Sequence, residues 1–117
     1  MFKEILKDAV AGTIGATGAI FVDGEGESVG HFFRGPEYDI KLLGAHCGIL
    51  LGLVREAAGN IGQGEVRCMV LATDDAKVVV QPLKDGYSLV MLLDGRANTG
   101  MALRGAMRAA KILMEEI

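Results

Sequence analysis

The chain has 117 residues, half of them hydrophobic, with a mean hydropathy of +0.34 and a formal charge of −3. This length suffices for one core, so we expect a single domain over residues 1–117. The acidic balance and the lack of a basic cluster argue against nucleic acid as a partner. Glycine or charge interrupts the apolar runs short of the ~20 residues that a membrane span needs, so the apolar surplus indicates a protein partner. Met1 leads directly into an amphipathic turn, which favours a cytoplasmic protein without a signal peptide.

The first half of the chain predicts a helix, a hairpin and a second, longer helix. Residues 2–11 have helical periodicity, and a glycine-rich segment follows them. Residues 19–22 form a short apolar run that ends in Asp23-Gly24-Glu25-Gly26, a strong hairpin signal, and residues 28–33 return as the second strand. Residues 39–61 contain no proline and repeat apolar side chains at helical spacing, with Asp39 near the N-terminus of this helix.

The second half predicts three strands and a final helix. The strands cover residues 65–73, 77–81 and 87–93, and the last is apolar on both faces, as in a central strand. Asn98 or Thr99 can cap the final helix. Its expected inward residues are Leu103, Met107, Ala110 and Met114, and its expected solvated residues are Arg104, Arg108, Lys111 and Glu115. The order α-β-β-α-β-β-β-α predicts an α/β protein of the α+β sandwich type, with one five-stranded, mainly antiparallel sheet and helices on both faces.

The second helix has two apolar stripes that together cover more than half of its circumference, at about 100° per residue. The first stripe contains Ile40, Leu43, Cys47, Leu50, Val54, Ala57 and Ile61, and the second contains Leu42, His46, Ile49 and Leu53. One sheet needs only one stripe, so we expect a second copy of the chain to cover the other. The remaining strip carries Gly44, Gly48 and Gly52, flanked by Lys41 and Arg55. Small residues at this spacing let another backbone approach, although they can equally be tolerated on an outer face.

Motifs for chemistry are absent or misplaced, so we expect no catalytic residue, no metal and no cofactor. Gly12, Gly15 and Gly18 follow a helix and open a strand, which reverses the order of a dinucleotide fingerprint. Neither serine lies in a nucleophile elbow. His46 and Cys47 are helix neighbours and point about 100° apart, which argues against a Cys–His couple. The histidines and cysteines lack zinc-type spacing, and both cysteines are expected to be reduced core thiols.

With these elements in place, the chain resembles the Roadblock/LC7 family over nearly its whole length. The resemblance rests on residues 15–26 (GATGAIFVDGEG), the Ala/Gly/Leu-rich second helix and residues 82–90 (PLKDGYSLV). It implies a profilin-like fold and a homodimer in which the third strands pair edge to edge and the second helices lie together. Carried over to this chain, the dimer interface would contain Leu42, His46, Ile49, Leu53, Val66, Cys68 and Val70. Which helix stripe faces the sheet stays open.

The resemblance also implies a function by binding. Members regulate or scaffold Ras-like small GTPases, and some stimulate GTP hydrolysis. The partner-facing residues would be Lys41, Gly44, Gly48, Gly52 and Arg55. An arginine supplied in trans is the usual physical route to faster hydrolysis, but the resemblance assigns that role to none of the arginines here. The alternative hypothesis is a small-ligand sensor of PAS or profilin-like layout, although the chain has few aromatic residues to line a pocket. An enzyme is the least favoured of the three.

Overall fold

Five antiparallel strands form one sheet with helices on both faces in the computed structural model, which describes all of residues 1–117. The elements in chain order are α1 (Phe2–Ala11), β1 (Ala16–Val22), β2 (Ser28–Phe33), α2 (Glu37–Asn60), β3 (Met69–Ala72), β4 (Ala76–Pro82), β5 (Ser88–Asp94) and α3 (Thr99–Glu116). The strand order across the sheet is β2-β1-β5-β4-β3. The predicted order of elements and the predicted sheet are therefore confirmed.

Each face of the sheet carries its own core. On one face, Phe21, Leu89 and Met91 pack with Leu6 and the small residues of α3. On the other face, α2 covers side chains of β1, β4 and β5. Strand β5 is buried on both faces, as its continuous apolar run predicts, because it lies in the middle of the sheet. Strands β2 and β3 form the two edges of the sheet and have the most exposed residues of the five strands.

The β1–β2 hairpin forms where the Asp-Gly signal predicts it. The Asp23 carboxylate accepts hydrogen bonds from the backbone N–H groups of Glu25 (2.9 Å) and Glu27 (3.0 Å). Gly26 closes the turn with φ +82°, a conformation that costs glycine little and other residues more. This turn reaches α2, since the Cα atom of Gly26 lies 3.4 Å from where a Cβ on Gly48 would be.

Helix α3 begins at its predicted cap but packs with a different face. The Asn98 side-chain oxygen accepts a hydrogen bond from the Met101 N–H at 3.0 Å, as expected for an N-cap. The expected inward position of Met107 is wrong, because this side chain is 57% exposed. The buried residues are mostly small: Ala102, Gly105, Ala106, Ala109, Ala110 and Leu113. The reason is close approach, since a Cβ on Gly105 would lie only 2.5 Å from the Thr13 hydroxyl oxygen at the end of α1.

Strand β3 is shorter than the predicted 65–73. Its ladder with β4 pairs Met69 with Val80 and ends there on its N-terminal side. Continued two residues further, the register would bring residue 67 opposite Pro82, which has no N–H to donate. The Gln81 side chain instead donates a hydrogen bond to the Arg67 carbonyl at 3.1 Å. Residues 63–68 therefore follow the sheet edge without joining the ladder.

Candidate docking surface on helix α2 and strand β3

One narrow stripe of residues on helix α2 packs against the sheet. Its buried residues are Ile40, Gly44, Cys47 and Leu51. The apolar members pack with Ile20, Val22, Val78, Val80 and Val90 of the sheet. Ile40 and Cys47 belong to the first predicted stripe, whereas its last two members, Ala57 and Ile61, are exposed. The sequence interpretation missed Leu51 and Gly44 as sheet contacts, although the spacing 40-44-47-51 follows one helix face.

The second predicted stripe points away from the sheet. Leu42, Ile49 and Leu53 are 43%, 66% and 59% exposed. His46 lies among them, also exposed, with its ring Nδ1 2.9 Å from the Leu42 carbonyl oxygen. The orientation that the sequence left open is thus assigned: Ile40 and Cys47 of the first stripe face the sheet, and the second stripe faces outward. Exposed apolar side chains at this spacing form a continuous surface of the kind that mediates association. Their role in a dimer contact stays a prediction.

Strand β3 lies at the free edge of the sheet, where the predicted strand pairing requires it. Met69 and Leu71 pack against the core beneath α2, and Val70, on the opposite face, is 40% exposed. Cys68 is exposed and Val66 is half-buried in the segment just before the strand. The four residues of β3 include neither a charge nor a proline, the devices that usually prevent edge pairing. This edge is therefore open to another strand.

The glycine strip of α2 is not one surface. Gly44 is buried, and a Cβ there would lie 3.0 Å from both the Ile20 Cγ2 and the Val22 Cγ1 atoms. Its predicted place in the partner-facing set is therefore wrong, because β1 occupies the space beside it. Gly48 faces the β1–β2 turn. Gly52 alone is open, with no atom within 4 Å of an added Cβ.

The two cations that flank the strip have different surroundings. Lys41 Nζ lies 3.2 Å from Glu37 Oε2, and His31 Nε2 lies 3.1 Å from Glu37 Oε1. The hydrogen bond and positive charge of Lys41, together with His31, lower the pKa of the Glu37 carboxyl. Arg55 is exposed and makes no ion pair. Lys41 thus helps fix the start of α2 beside β2, while Arg55 is free to contact a partner.

Arg55 borders a wide hollow of about 1420 Å³ beside the shortened end of β3. Arg67 and Lys84 add two further cations to its rim, and Glu65 adds one carboxylate. The hollow is a broad surface depression rather than a ligand chamber. The space between α2 and the sheet, where a PAS-type sensor would hold its ligand, is filled by Ile40, Cys47, Leu51 and the sheet side chains beneath them. The ligand-sensor hypothesis thus gains no support from the packing.

The potentially reactive side chains are scattered. No group of three or more His, Cys, Asp or Glu residues is placed to hold a metal ion. Burial raises the pKa of the Cys47 thiol, which makes this cysteine a weak nucleophile at neutral pH. Cys68 is exposed, so the prediction that both cysteines are core thiols is wrong for this residue. It lies beyond the first β3 ladder pair, in the segment that does not join the ladder.

Helix α2 is also long and apolar enough to cross a membrane by length and composition alone. It has 24 residues, its most apolar window has a mean hydropathy of 1.3, and only 17% of that window is buried. The sequence estimate that no apolar segment approaches this length was therefore too strict. The helix has two apolar faces, and a single sheet covers only one.

Several known proteins share the fold of this chain. A family model for the Roadblock/LC7 domain matches residues 2–93. A Roadblock/LC7 domain from Streptomyces avermitilis superposes with a TM-score of 0.90 at 19% identity, covering 97% of this chain and 95% of that one. Myxococcus xanthus MglB superposes with a TM-score of 0.88 at 15% identity, covering 98% and 93%. An MglB structure with a tetrameric arrangement gives a TM-score of 0.86 at 20% identity, covering 97% and 85%.

No curated protein sequence matches the chain significantly. The structural similarities lie below 25% identity and therefore establish the fold. They confirm the predicted Roadblock/LC7, profilin-like layout.

Proposed function

Because this chain belongs to the Roadblock/LC7 domain family, we propose that it is a cytoplasmic, homodimeric regulator or scaffold that binds a Ras-like small GTPase and has no active site of its own. The observation that carries the proposal is the outward apolar stripe of α2 together with the free and unprotected sheet edge at β3. Both features are costly for an isolated chain and useful for one that associates.

A symmetric dimer would satisfy both features at once. Two β3 strands can pair antiparallel about a two-fold axis, because the same backbone groups on each copy then serve as donors and acceptors. That pairing joins two five-stranded sheets and brings the outward stripes of the two α2 helices to the same side. Leu42, Ile49 and Leu53 would then supply the apolar centre of the contact. The related MglB with a tetrameric arrangement supports association as a property of this fold.

The proposed GTPase contact uses the part of α2 that the second copy leaves accessible. Lys41, Gly52 and Arg55 remain in the partner-facing set, whereas Gly44 leaves it because it is buried against β1 and Gly48 leaves it because it faces the β1–β2 turn. Of these, Arg55 and open Gly52 lie one turn apart, so a partner's backbone can approach Gly52 while Arg55 meets an acidic group. No side chain of this set is proposed to take part in hydrolysis. Any acceleration would come from ordering the GTPase's own residues.

Light scattering tests the dimer directly. The wild type should have twice the monomer mass of 12.3 kDa. Ile49→Glu and Leu53→Glu place a charge in the proposed contact and should give monomer or aggregate. Ile112→Glu is the matched control, since Ile112 is 48% exposed on α3, a helix on the other face of the sheet. A wild-type mass near 12.3 kDa, or an equal effect of the control, would refute the proposed contact.

Retention of a GTPase tests the second part of the proposal. Tagged protein is incubated with native lysate in the presence of either GDP or a non-hydrolysable GTP analogue, and retained proteins are identified by mass spectrometry. A Ras-like GTPase retained in one nucleotide state supports a regulator that senses that state. Arg55→Glu should reduce retention, and Arg108→Glu, the same charge reversal on α3, should leave it unchanged. Failure to retain any GTPase in either state would contradict the proposal.

A further inference from the structure

The outer face of α3 has a composition unlike the rest of this acidic chain. Residues 95–114 contain four cations and no carboxylate, in a protein whose formal charge is −3. The three cations Arg104, Arg108 and Lys111 follow one another at i+4 and i+3 on one side of the helix, and the carboxylate of Glu115 follows them on the same side at its C-terminal end. All three are exposed and none forms an ion pair. Their charge is thus available to an external group.

Exposed apolar side chains accompany these cations. Met101, Met107 and Ile112 are 52%, 57% and 48% exposed. A merely solvated helix face has no need of them, and methionine adapts well to the shape of a partner surface. We call the surface made by Met101, Arg104, Met107, Arg108, Lys111 and Ile112 the α3 face. It lies on the side of the sheet opposite α2. Of its members, only Met107 also borders the hollow that Arg55 lines, so the rest of the face is separate from the proposed GTPase contact.

A groove between α1 and α3 runs along this surface. Its volume is about 290 Å³, and Ile5, Ala9 and Ile112 supply its apolar side chains. At one end of the groove, Gly105 lets α3 approach Thr13 closely. From Gly105 to Ile112 it extends about 10 Å along α3, the length of two helical turns. Apolar side chains at i and i+7 of an incoming helix, with a third at i+3 or i+4 between them, span this length.

The charges on the two walls are unequal and select the occupant. The α3 wall presents Arg108, with Arg104 and Lys111 beside it, whereas the α1 wall presents the Asp8 carboxylate. We propose that the α1–α3 groove and the α3 face form a second docking site, which binds an acidic amphipathic helix of a protein partner. Its apolar residues enter the groove and its carboxylates lie against α3. A bilayer fits less well, because a flat anionic surface would press against Asp8 as well as against the arginines.

The test uses fluorescein-labelled stapled helices of about four turns, with leucine at i, at i+3 or i+4, and at i+7, and with glutamates beside them. Matched peptides carry lysine in place of each glutamate. In low salt, fluorescence anisotropy should show at least about fivefold tighter binding of an acidic peptide than of its lysine counterpart, as expected from the loss of one or more favourable charge pairs. Amide shifts of ¹⁵N-labelled protein should concentrate in residues 5–13 and 101–112.

Variants localise the effect. Arg104→Glu/Arg108→Glu should weaken binding of the acidic peptide roughly tenfold and strengthen that of the lysine peptide. Arg55→Glu, a charge reversal at one site on α2, should change neither. Unchanged thermal unfolding of the double variant shows that the fold is intact, as expected for two exposed residues.

Several results would overturn the proposal. These are no saturable binding of any acidic peptide, equal affinity for acidic and lysine peptides, or amide shifts confined to α2. Binding to anionic phospholipid vesicles that requires Arg104 and Arg108, without discrimination between the peptides, would assign the α3 face to a membrane instead. None of these readouts depends on a GTPase, so failure here is distinct from failure of the proposed function.

Discussion

Gly44 and Gly52 lie two turns apart on α2, and the same substitution should have opposite effects at the two positions. Alanine is favoured over glycine in a helix interior by about 1 kcal/mol. At Gly52 an added Cβ meets no atom within 4 Å, so Gly52→Ala should realise this gain. At Gly44 the same Cβ would lie 3.0 Å from methyl carbons of Ile20 and Val22, two fully buried side chains.

The crowding at Gly44 should outweigh the helix propensity. Both methyl groups must move by a few tenths of an ångström within a packed core, and overpacking of this kind costs about 1–3 kcal/mol. Subtracting the intrinsic gain leaves Gly44→Ala between neutral and about 2 kcal/mol less stable than the wild type. For a domain of this size, 1 kcal/mol corresponds to roughly 4 °C in Tm. We expect Tm to rise by roughly 4 °C for Gly52→Ala and to fall by up to roughly 8 °C for Gly44→Ala.

Thermal and urea unfolding followed by circular dichroism measure both effects. Each variant should be measured at two protein concentrations, because association makes Tm depend on concentration. If the backbone of a second copy of the chain lies against Gly52, Gly52→Ala should raise Tm at low protein concentration, where the chain is monomeric, and should not raise it at high concentration. An equal rise in Tm for both variants would refute the placement of Gly44 against β1, and with it the assignment of the outward stripe.

Three further predictions concern single side chains. Asn98→Ala removes the cap of α3 and should lower the free energy of unfolding, measured in urea, by about 1 kcal/mol. Asn98→Asp keeps a capping side chain and should retain most of this stability. Equal losses of stability in the two variants would argue against the cap. Lys41 and His31 lower the pKa of the Glu37 carboxyl below its usual value of 4.5. The ionised carboxylate therefore stabilises the folded protein above pH 4.5, and this stabilisation is lost as the pH falls through the pKa that Glu37 has in the folded protein. The Tm difference between wild type and Glu37→Gln should therefore vanish on acidification, and a constant difference would contradict the ion pair. At a protein concentration low enough to keep the chain monomeric, iodoacetamide should label Cys68 in the folded protein and Cys47 only on unfolding, as measured by mass spectrometry; equal rates would show that Cys47 is accessible.

Elements with strong local signals could be predicted closely. The Asp-Gly turn, the β2 strand at residues 28–33 and the Asn98 cap need only neighbouring residues, so their sequence contains the required information. Helix α2 also follows its periodicity, although it begins at Glu37 instead of Asp39. Pro36 sets this start, since proline at the N-cap position leaves the first helical turn free to form after it.

Features that depend on distant partners were harder to predict. Alternation in residues 65–73 is a local pattern, but the length of β3 depends on β4 and ends near Pro82. The inward face of α3 was assigned to large side chains such as Met107, whereas Thr13, more than 90 residues earlier in the chain, requires Gly105 and its small neighbours there. Close packing favours small residues wherever two backbones approach, and no local pattern reveals that approach.

The same distinction between local sequence signals and contacts with distant residues applies to the candidate site. Periodicity alone predicts two apolar stripes on α2; the outward one is present as predicted, whereas the sheet-facing one includes Leu51 and excludes Ile61. Their orientation required the sheet, because each stripe satisfies the same spacing rule. The glycine strip shows the limit most clearly: Gly44, Gly48 and Gly52 are equivalent by spacing, yet they face a strand, a turn and open space.

The uncharged edge of β3 also affects how this chain would distinguish a second copy of itself from a related protein. Backbone N–H and C=O groups are the same in every protein, so strand pairing by itself cannot distinguish a second copy from a related chain with a similar edge. In a cell that makes several such proteins, mixed pairs would form unless side chains reject them. That discrimination would fall to Leu42, Ile49 and Leu53, whose shapes must fit across the two-fold axis. Exchanging these three residues between relatives should then exchange their pairing preferences.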